Sequence, residues 1–276
     1  MSAATTPAPA RSGTLDRAAR KLVEWLPAIV VFCLGLAAWQ WLFPDALNID
    51  KSLLPRFSAV MSSFWNERGY LWHGGWITLK VALAGFAIGC SVAFGFALAL
   101  ARWRPLGNAL MPYMIAANAV PIIAFAPITN AWFGILNSWS KITITAVLCF
   151  FPVLVNTLRG LTSVRPESIE LMRSYAASER EIFRRVRIPT SLPFVFTSLK
   201  IASVLAMIGA VVGDYFGGNT EALGVQMTSA VSIGQYETAW AAILVACIMG
   251  IAFYASIALV ERFVLSWHPS TRGTRE

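Results

Sequence analysis

Between Pro166 and Pro193 the chain reads PESIELMRSYAASEREIFRRVRIPTSLP, and this stretch gathers the side chains best suited to polar recognition. Glu170, Arg173, Ser178, Glu179 and Arg180 follow one another closely along it. Carboxylates and guanidinium groups at this density suit charge-assisted hydrogen bonds to another surface. The pattern reads helix, turn, helix. Pro166 fits a first helical position, and Ile169, Leu171, Met172 and Tyr175 offer an apolar face. A break falls near Ala176–Ala177. Ser178 with Glu181 forms an S-x-x-E capping box that opens a second short helix. On it Ile182, Phe183 and Val186 are apolar, Arg180, Arg184, Arg185 and Arg187 are polar, and Pro189 is expected to end it. Two short amphipathic helices need something to bury against. A headgroup layer and a groove on a soluble partner are both open on these residues alone.

Elsewhere the residue types do not assemble a reactive centre. Cys33, Cys90, Cys149 and Cys247 each fall in an apolar run, no CxxC occurs, and His73 and His268 are distant from all of them. They read as thiols packed as small hydrophobes, with no metal site or disulfide framework. No G-x-x-x-x-G-K-[ST] occurs, so no P-loop nucleotide site and no cofactor is expected in this chain. No acids, bases or nucleophiles cluster at catalytic spacing, so an enzyme is not expected. In NAVPIIAFAPITNAWFG, Asn118, Pro121 and Asn130 stand near proline breaks. Broken helices are tolerated in a membrane where they line a water-filled path, which makes these three candidates for such a lining; interhelical hydrogen bonding is the plainer alternative. Asp214, at the outer end of an apolar run, reads as interfacial or as a pore-mouth residue. Lys80 and Lys200 are expected to snorkel from within their runs.

The elements that must hold these residues follow from composition. Of 276 residues 57% are hydrophobic and 13% charged, against roughly 45–50% and about 25% in soluble domains. Mean hydropathy is +0.62. These values exclude a disordered chain and leave too little charge for a water-facing surface, so the expected class is an all-α membrane protein. The net charge of +8 sits between apolar runs, which fits membrane topology and not a nucleic-acid surface. Six transmembrane helices are expected, near Leu22–Phe43, Trp76–Ala101, Ala109–Pro127, Ser140–Thr157, Phe194–Val212 and Thr238–Leu265. Pro112, Pro121 and Pro127 should kink or break the third.

Residues 1–21, rich in Pro, Ala, Ser and Thr, are expected to be a disordered tail. Residues 22–63 should hold the first helix, read as uncleaved, and an outer loop with an amphipathic stretch near Phe57–Trp65. Residues 64–268 should form the main transmembrane domain, with the loop at 166–189, and 269–276 a short tail. Lys and Arg concentrate in the N-terminal segment, at Arg102 and Arg104, in the loop with Arg159–Arg187, and at the C-terminus. The alternate loops carry only Lys51, Arg56, Arg68 and Lys141. The positive-inside rule then puts both termini and the long basic loop in the cytoplasm. Recurrent small residues, Gly85 with Gly89 and Gly209, Gly213 and Gly217, suggest close helix approach.

The basic loop resembles the EAA loop of permease subunits from ABC importers. Glu170 matches its glutamate, and Val186, Ile188 and Pro189 match its aliphatic–x–aliphatic–Pro ending. Leu171 and Met172 stand where alanines are usual, and Ala176 where glycine is usual. With TSLPFVFTSLKIA downstream and Trp267–His268 near the end, the chain is similar to the nitrate/sulfonate/taurine branch, over roughly Phe64–His268. The resemblance implies a type I importer permease fold with a coupling-helix loop. It implies an ATP-binding subunit, holding ATP and Mg, docked through Glu170, Arg173, Ala176, Ser178, Glu179 and Arg180. It also implies an external solute-binding protein and a second permease copy in a homodimer. The surroundings SYAASE and DYFGG look like members that move pyrimidine vitamin precursors or riboflavin; sulfonate- and nitrate-like anions stay open. The competing class is a secondary transporter driven by an ion gradient, which would show repeated halves and midplane acids; no internal repeat is visible here.

Overall fold

A computed structural model describes residues 14–42 and 54–265. The expected tails before residue 14 and after residue 265, Trp267–His268 among them, lie outside the described residues. Every regular element described is helical. Residues 1–62 and 63–276 form two compact units.

In the first unit helix α1, Thr14–Ala37, runs into a π-helical turn at Ala38–Leu42. The helix begins within the segment expected to be tail. The Trp39 indole N–H donates to the Pro55 carbonyl at 3.1 Å, and its ring meets Phe57 edge-on at 5.4 Å. The Gln40 amide donates to the Ser58 hydroxyl at 3.1 Å and accepts from the Ser58 N–H at 3.0 Å. These contacts fasten the start of α2, Phe57–Asn66, where the amphipathic stretch was expected.

The second unit holds α3 (Arg68–Arg102), α4 (Arg104–Ala117), a 3-10 turn (Ile122–Phe125), α5 (Ala126–Phe133) and α6 (Ser138–Thr162). The basic loop follows as α7 (Pro166–Ser174), α8 (Glu179–Ile182) and a π-helical turn (Phe183–Arg187). The chain ends its described part with α9 (Ile188–Tyr215), α10 (Leu223–Ser232) and α11 (Tyr236–Val264).

Among the described residues four helices are long and apolar enough to cross a membrane: α3, α6, the continuous helix Glu179–Tyr215, and α11. The apolar run Leu26–Trp41 is shorter. The third expected span is two short helices around a 3-10 turn, because Pro121 and Pro127 cannot donate into a continuous ladder. Among the described residues the expected count of six is therefore not confirmed. Pro189 does not end the second loop helix. The π turn ahead of it runs on into α9, so Pro189 stands in the first turn of that helix.

α6 packs along both α3 and α9, and α11 packs on α9. Glycines set these distances. A Cβ on Gly89 would overlap the Ala146 carbonyl oxygen of α6 and lie 2.9 Å from its Cα; one on Gly85 would overlap Thr145. From α9, a Cβ on Gly209 would lie 2.7 Å from Leu148 Cδ1, and one on Gly213 3.0 Å from Lys141 Cγ. The backbones thus approach as the small-residue spacing suggested. Gly217 is different: it lies past the end of α9 with φ 129° and serves the turn.

Several polar groups inside the bundle are paired over long range. At the end far from the basic loop, Thr78 of α3 donates to Asp214 of α9 at 2.7 Å and accepts from the Leu223 N–H at 3.0 Å. Lys141 of α6, buried beside them, donates to the Ile135 and Asn137 carbonyls. Lys200 was expected to snorkel; it forms a 2.7 Å ion pair with Glu261 of α11. Lys80 lies over the Trp76 ring, 5.7 Å from its centroid.

Candidate functional site

The basic loop is built by local bonding. The Ser178 side chain accepts from the Glu181 N–H at 3.3 Å, and the Ser178 N–H donates to the Glu181 carboxylate at 3.0 Å. This is the capping box, and it fixes where α8 starts. Before it, α7 closes with a Schellman pair: the Ala177 N–H donates to the Met172 carbonyl at 3.0 Å and the Ala176 N–H to the Arg173 carbonyl at 2.9 Å. The motif needs a left-handed residue, and Ala176 takes φ 57°, the sole non-glycine residue with positive φ among those described. An L-residue with a Cβ pays about 1–2 kcal/mol there. Ala176→Gly is therefore expected to stabilise the loop by ~1 kcal/mol, raising amide protection over α7 roughly fivefold, and Ala176→Val to lower it. Hydrogen exchange reads both, and a glycine variant with unchanged protection would show that the turn is not held this way.

The Arg173 guanidinium donates to the Glu179 carboxylate at 2.7 Å and ties α7 to α8 across the turn. Both side chains are over 60% exposed, so the link contributes at most about 1 kcal/mol and serves geometry more than stability.

Behind the loop, between it and the ends of α3, α4 and α6, lies a cavity of about 1020 Å³. Glu170, Arg173, Glu179 and Arg180, all expected to act in the loop, line it together. Arg102 at the end of α3 and Arg187 in the π turn join them; sequence reading had counted Arg102 as a topology signal only and Arg187 as part of the polar face of the second loop helix. Leu98, Ala101, Ile169 and Phe183 give the cavity an apolar part. Ser178 and Ala176 do not line it; they shape the loop. Leu171 and Tyr175, assigned to one apolar face with Ile169, also stand outside the cavity, 58% and 77% exposed.

The other expected site residues do not converge on one place. Asn118 is exposed on the end of α4 and donates to the Met114 carbonyl at 3.2 Å. Pro121 is exposed just ahead of the 3-10 turn. Asn130 donates to the Phe216 carbonyl at 3.2 Å and accepts from the Ser140 hydroxyl. It thereby joins α5 to the end of α9 that carries Asp214, itself 3% exposed and held by Thr78. Among the described residues no group of His, Cys, Asp and Glu could hold a metal ion.

A bundle of helices long and apolar enough to cross a membrane, joined by a structured, arginine-rich helix–turn–helix loop, is the architecture of an integral membrane protein. Residues 91–266 match the family described as binding-protein-dependent transport system inner membrane component, and the chain belongs to that family, the permeases of ABC importers. The chain is 36% identical to the formylaminopyrimidine transport permease protein ThiX of Halalkalibacterium halodurans, over 69% of this chain and 75% of that one. It is 32% identical to the riboflavin transport system permease protein RibX of Chloroflexus aurantiacus, over 90% and 92%. Its fold is similar to a chain in the crystal structure of an amino acid ABC transporter with histidines, at a TM-score of 0.59 and 18% identity, covering 72% of this chain and 96% of that one.

Proposed function

We propose that the chain is the membrane path of an ATP-driven importer, with the basic loop as its docking element for a cytoplasmic ATP-binding subunit. The observation that carries this reading is the loop itself. A capping box, a Schellman turn and a cross-turn ion pair organise 166–187 far beyond what a tether needs, and the loop joins α6 to α9, two helices of the packed core. ATP and Mg belong to the docked subunit, and this chain performs no catalytic step. An external binding protein delivers the solute to the far end, and two copies of the chain face one another as a homodimer. Both termini lie in the cytoplasm, and the membrane is the bacterial inner membrane.

In the native complex, replacing residues 170–187 by a flexible linker of equal length is expected to abolish co-purification of the ATP-binding subunit and to stop transport. Undiminished recovery of that subunit, or transport that persists when it cannot hydrolyse ATP, would sink the reading in favour of an ion-driven carrier. For the solute, the two relatives above support a pyrimidine vitamin precursor or riboflavin over a sulfonate- or nitrate-like anion. Calorimetry of the co-purified binding protein against these four classes tests it, and preference for taurine or nitrate would overturn it.

A further inference from the structure

We propose that the cavity behind the basic loop is a binding site for an anionic amphiphile, held by its phosphate on the arginines and by its chain on the apolar part. Four guanidinium groups, from Arg102, Arg173, Arg180 and Arg187, line it with two carboxylates, those of Glu170 and Glu179, an excess of two positive charges. One carboxylate is already engaged by Arg173 at 2.7 Å. Arg102 and Arg180 meet no carboxylate among the described residues. Guanidinium groups bind phosphate oxygens bidentately, which suits them to a phosphate-bearing guest over a simple halide.

The distribution of the lining selects the guest further. Leu98 lies one turn of α3 before Arg102, about 6 Å nearer the bilayer centre on a helix rising 1.5 Å per residue. Leu98 thus lies on the bilayer side of Arg102, while Ala101, Ile169 and Phe183 add apolar surface among the arginines. At about 1020 Å³ the space exceeds what a lone phosphate fills. Charged and apolar surface in one cavity, at the level where a span ends, matches a lipid headgroup with the first part of its chains. A soluble phosphate would use the same arginines and ignore the apolar surface. The inference goes beyond the docking of an ATP-binding subunit and does not depend on it.

The test uses the full chain in dodecyl maltoside, without any other subunit, so loss of docking cannot mimic loss of binding. Thermophoresis would measure affinity for dioctanoyl phosphatidylglycerol, dioctanoyl phosphatidylcholine and inorganic phosphate. Phosphatidylglycerol is expected to bind saturably and at least about tenfold more tightly than phosphatidylcholine. Arg102→Gln with Arg180→Gln should weaken it about tenfold. Arg184→Gln with Arg185→Gln removes the same charge from the same loop outside the cavity, and should change it less than about twofold. Leu98→Trp fills the apolar part without touching charge; it should weaken phosphatidylglycerol and leave inorganic phosphate unaffected, which keeps the test decisive should the arginine pair fail to fold. Competition by inorganic phosphate at similar concentration would assign the site to a soluble anion, and no competition to a lipid. Equal weakening by both arginine pairs, or equal binding of phosphatidylcholine, would overturn the proposal, since only general surface charge would then be at work.

Discussion

Gly89→Leu is expected to leave almost no folded protein, while Gly95→Leu on the same helix is recovered at near wild-type yield. Both glycines sit in α3. At Gly89 a Cβ would run into the Ala146 carbonyl oxygen and the backbone around it. A clash with a flexible side chain is relieved by a rotamer change; backbone offers none. The whole of α3 would have to back away from α6, and Gly85, one turn earlier against Thr145, would lose its contact with it. Overpacking costs typically about 1–3 kcal/mol where side chains can adjust, so a leucine here should exceed ~3 kcal/mol. At Gly95 nothing lies within 4 Å, so an added side chain meets open space. Size-exclusion profiles in mild detergent, with thermal midpoints, separate the two. A monodisperse Gly89→Leu protein with an unshifted midpoint would mean that α3 and α6 are not in backbone contact.

The second large effect concerns Lys200 and Glu261. Their 2.7 Å ion pair links α9 to α11, with side chains only 22% and 19% exposed. Removing one partner leaves a largely buried charge unpaired, which costs on the order of 3 kcal/mol, the low end for a buried pair because part of each side chain stays exposed. Lys200→Met and Glu261→Leu should each lower the thermal midpoint strongly. The double variant should recover most of the loss, since an apolar pair of similar volume replaces the ion pair without a desolvation penalty. A full double-mutant cycle yields the coupling directly. Additive losses, with no recovery in the double variant, would show that the two charges do not depend on each other.

The ion pair also marks the limit of reading the sequence. Lys200 alone, with an apolar run around it, is indistinguishable from a snorkelling lysine, because its partner lies on another helix and no pattern in the chain couples the two. The four long helices were legible for the opposite reason: run length and hydropathy are local. The capping box was legible because Ser178 and Glu181 are three residues apart and their exchange of hydrogen bonds is dictated by that spacing. Departure from the family pattern at Ala176 pointed to the turn, but not to an alanine accepting the left-handed conformation that the glycine would have supplied. Pro189 misled because a proline reads as a stop, whereas a π turn ahead of it turns the same residue into a start. The cavity was invisible as a unit, since Arg102 and the loop arginines meet only once α3 and α7 are folded together. Asn118, Pro121 and Asn130 were singled out by residue type and the nearby prolines, but nothing in the chain indicated that Asn130 would bond to the end of α9.

The uninterrupted run from the π turn through α9 gives the molecule mechanical advantage. Its 28 residues from Ile188 to Tyr215 make a rod about 42 Å long. Moved as one rod, α9 would carry Asp214 through roughly 3 Å for a tilt of about 5° applied at the loop end. That stroke is longer than the 2.7 Å hydrogen bond by which Thr78 latches Asp214. A hydrogen bond is lost once it stretches by about 1 Å, so even part of that stroke at the far end would unfasten Thr78 from Asp214.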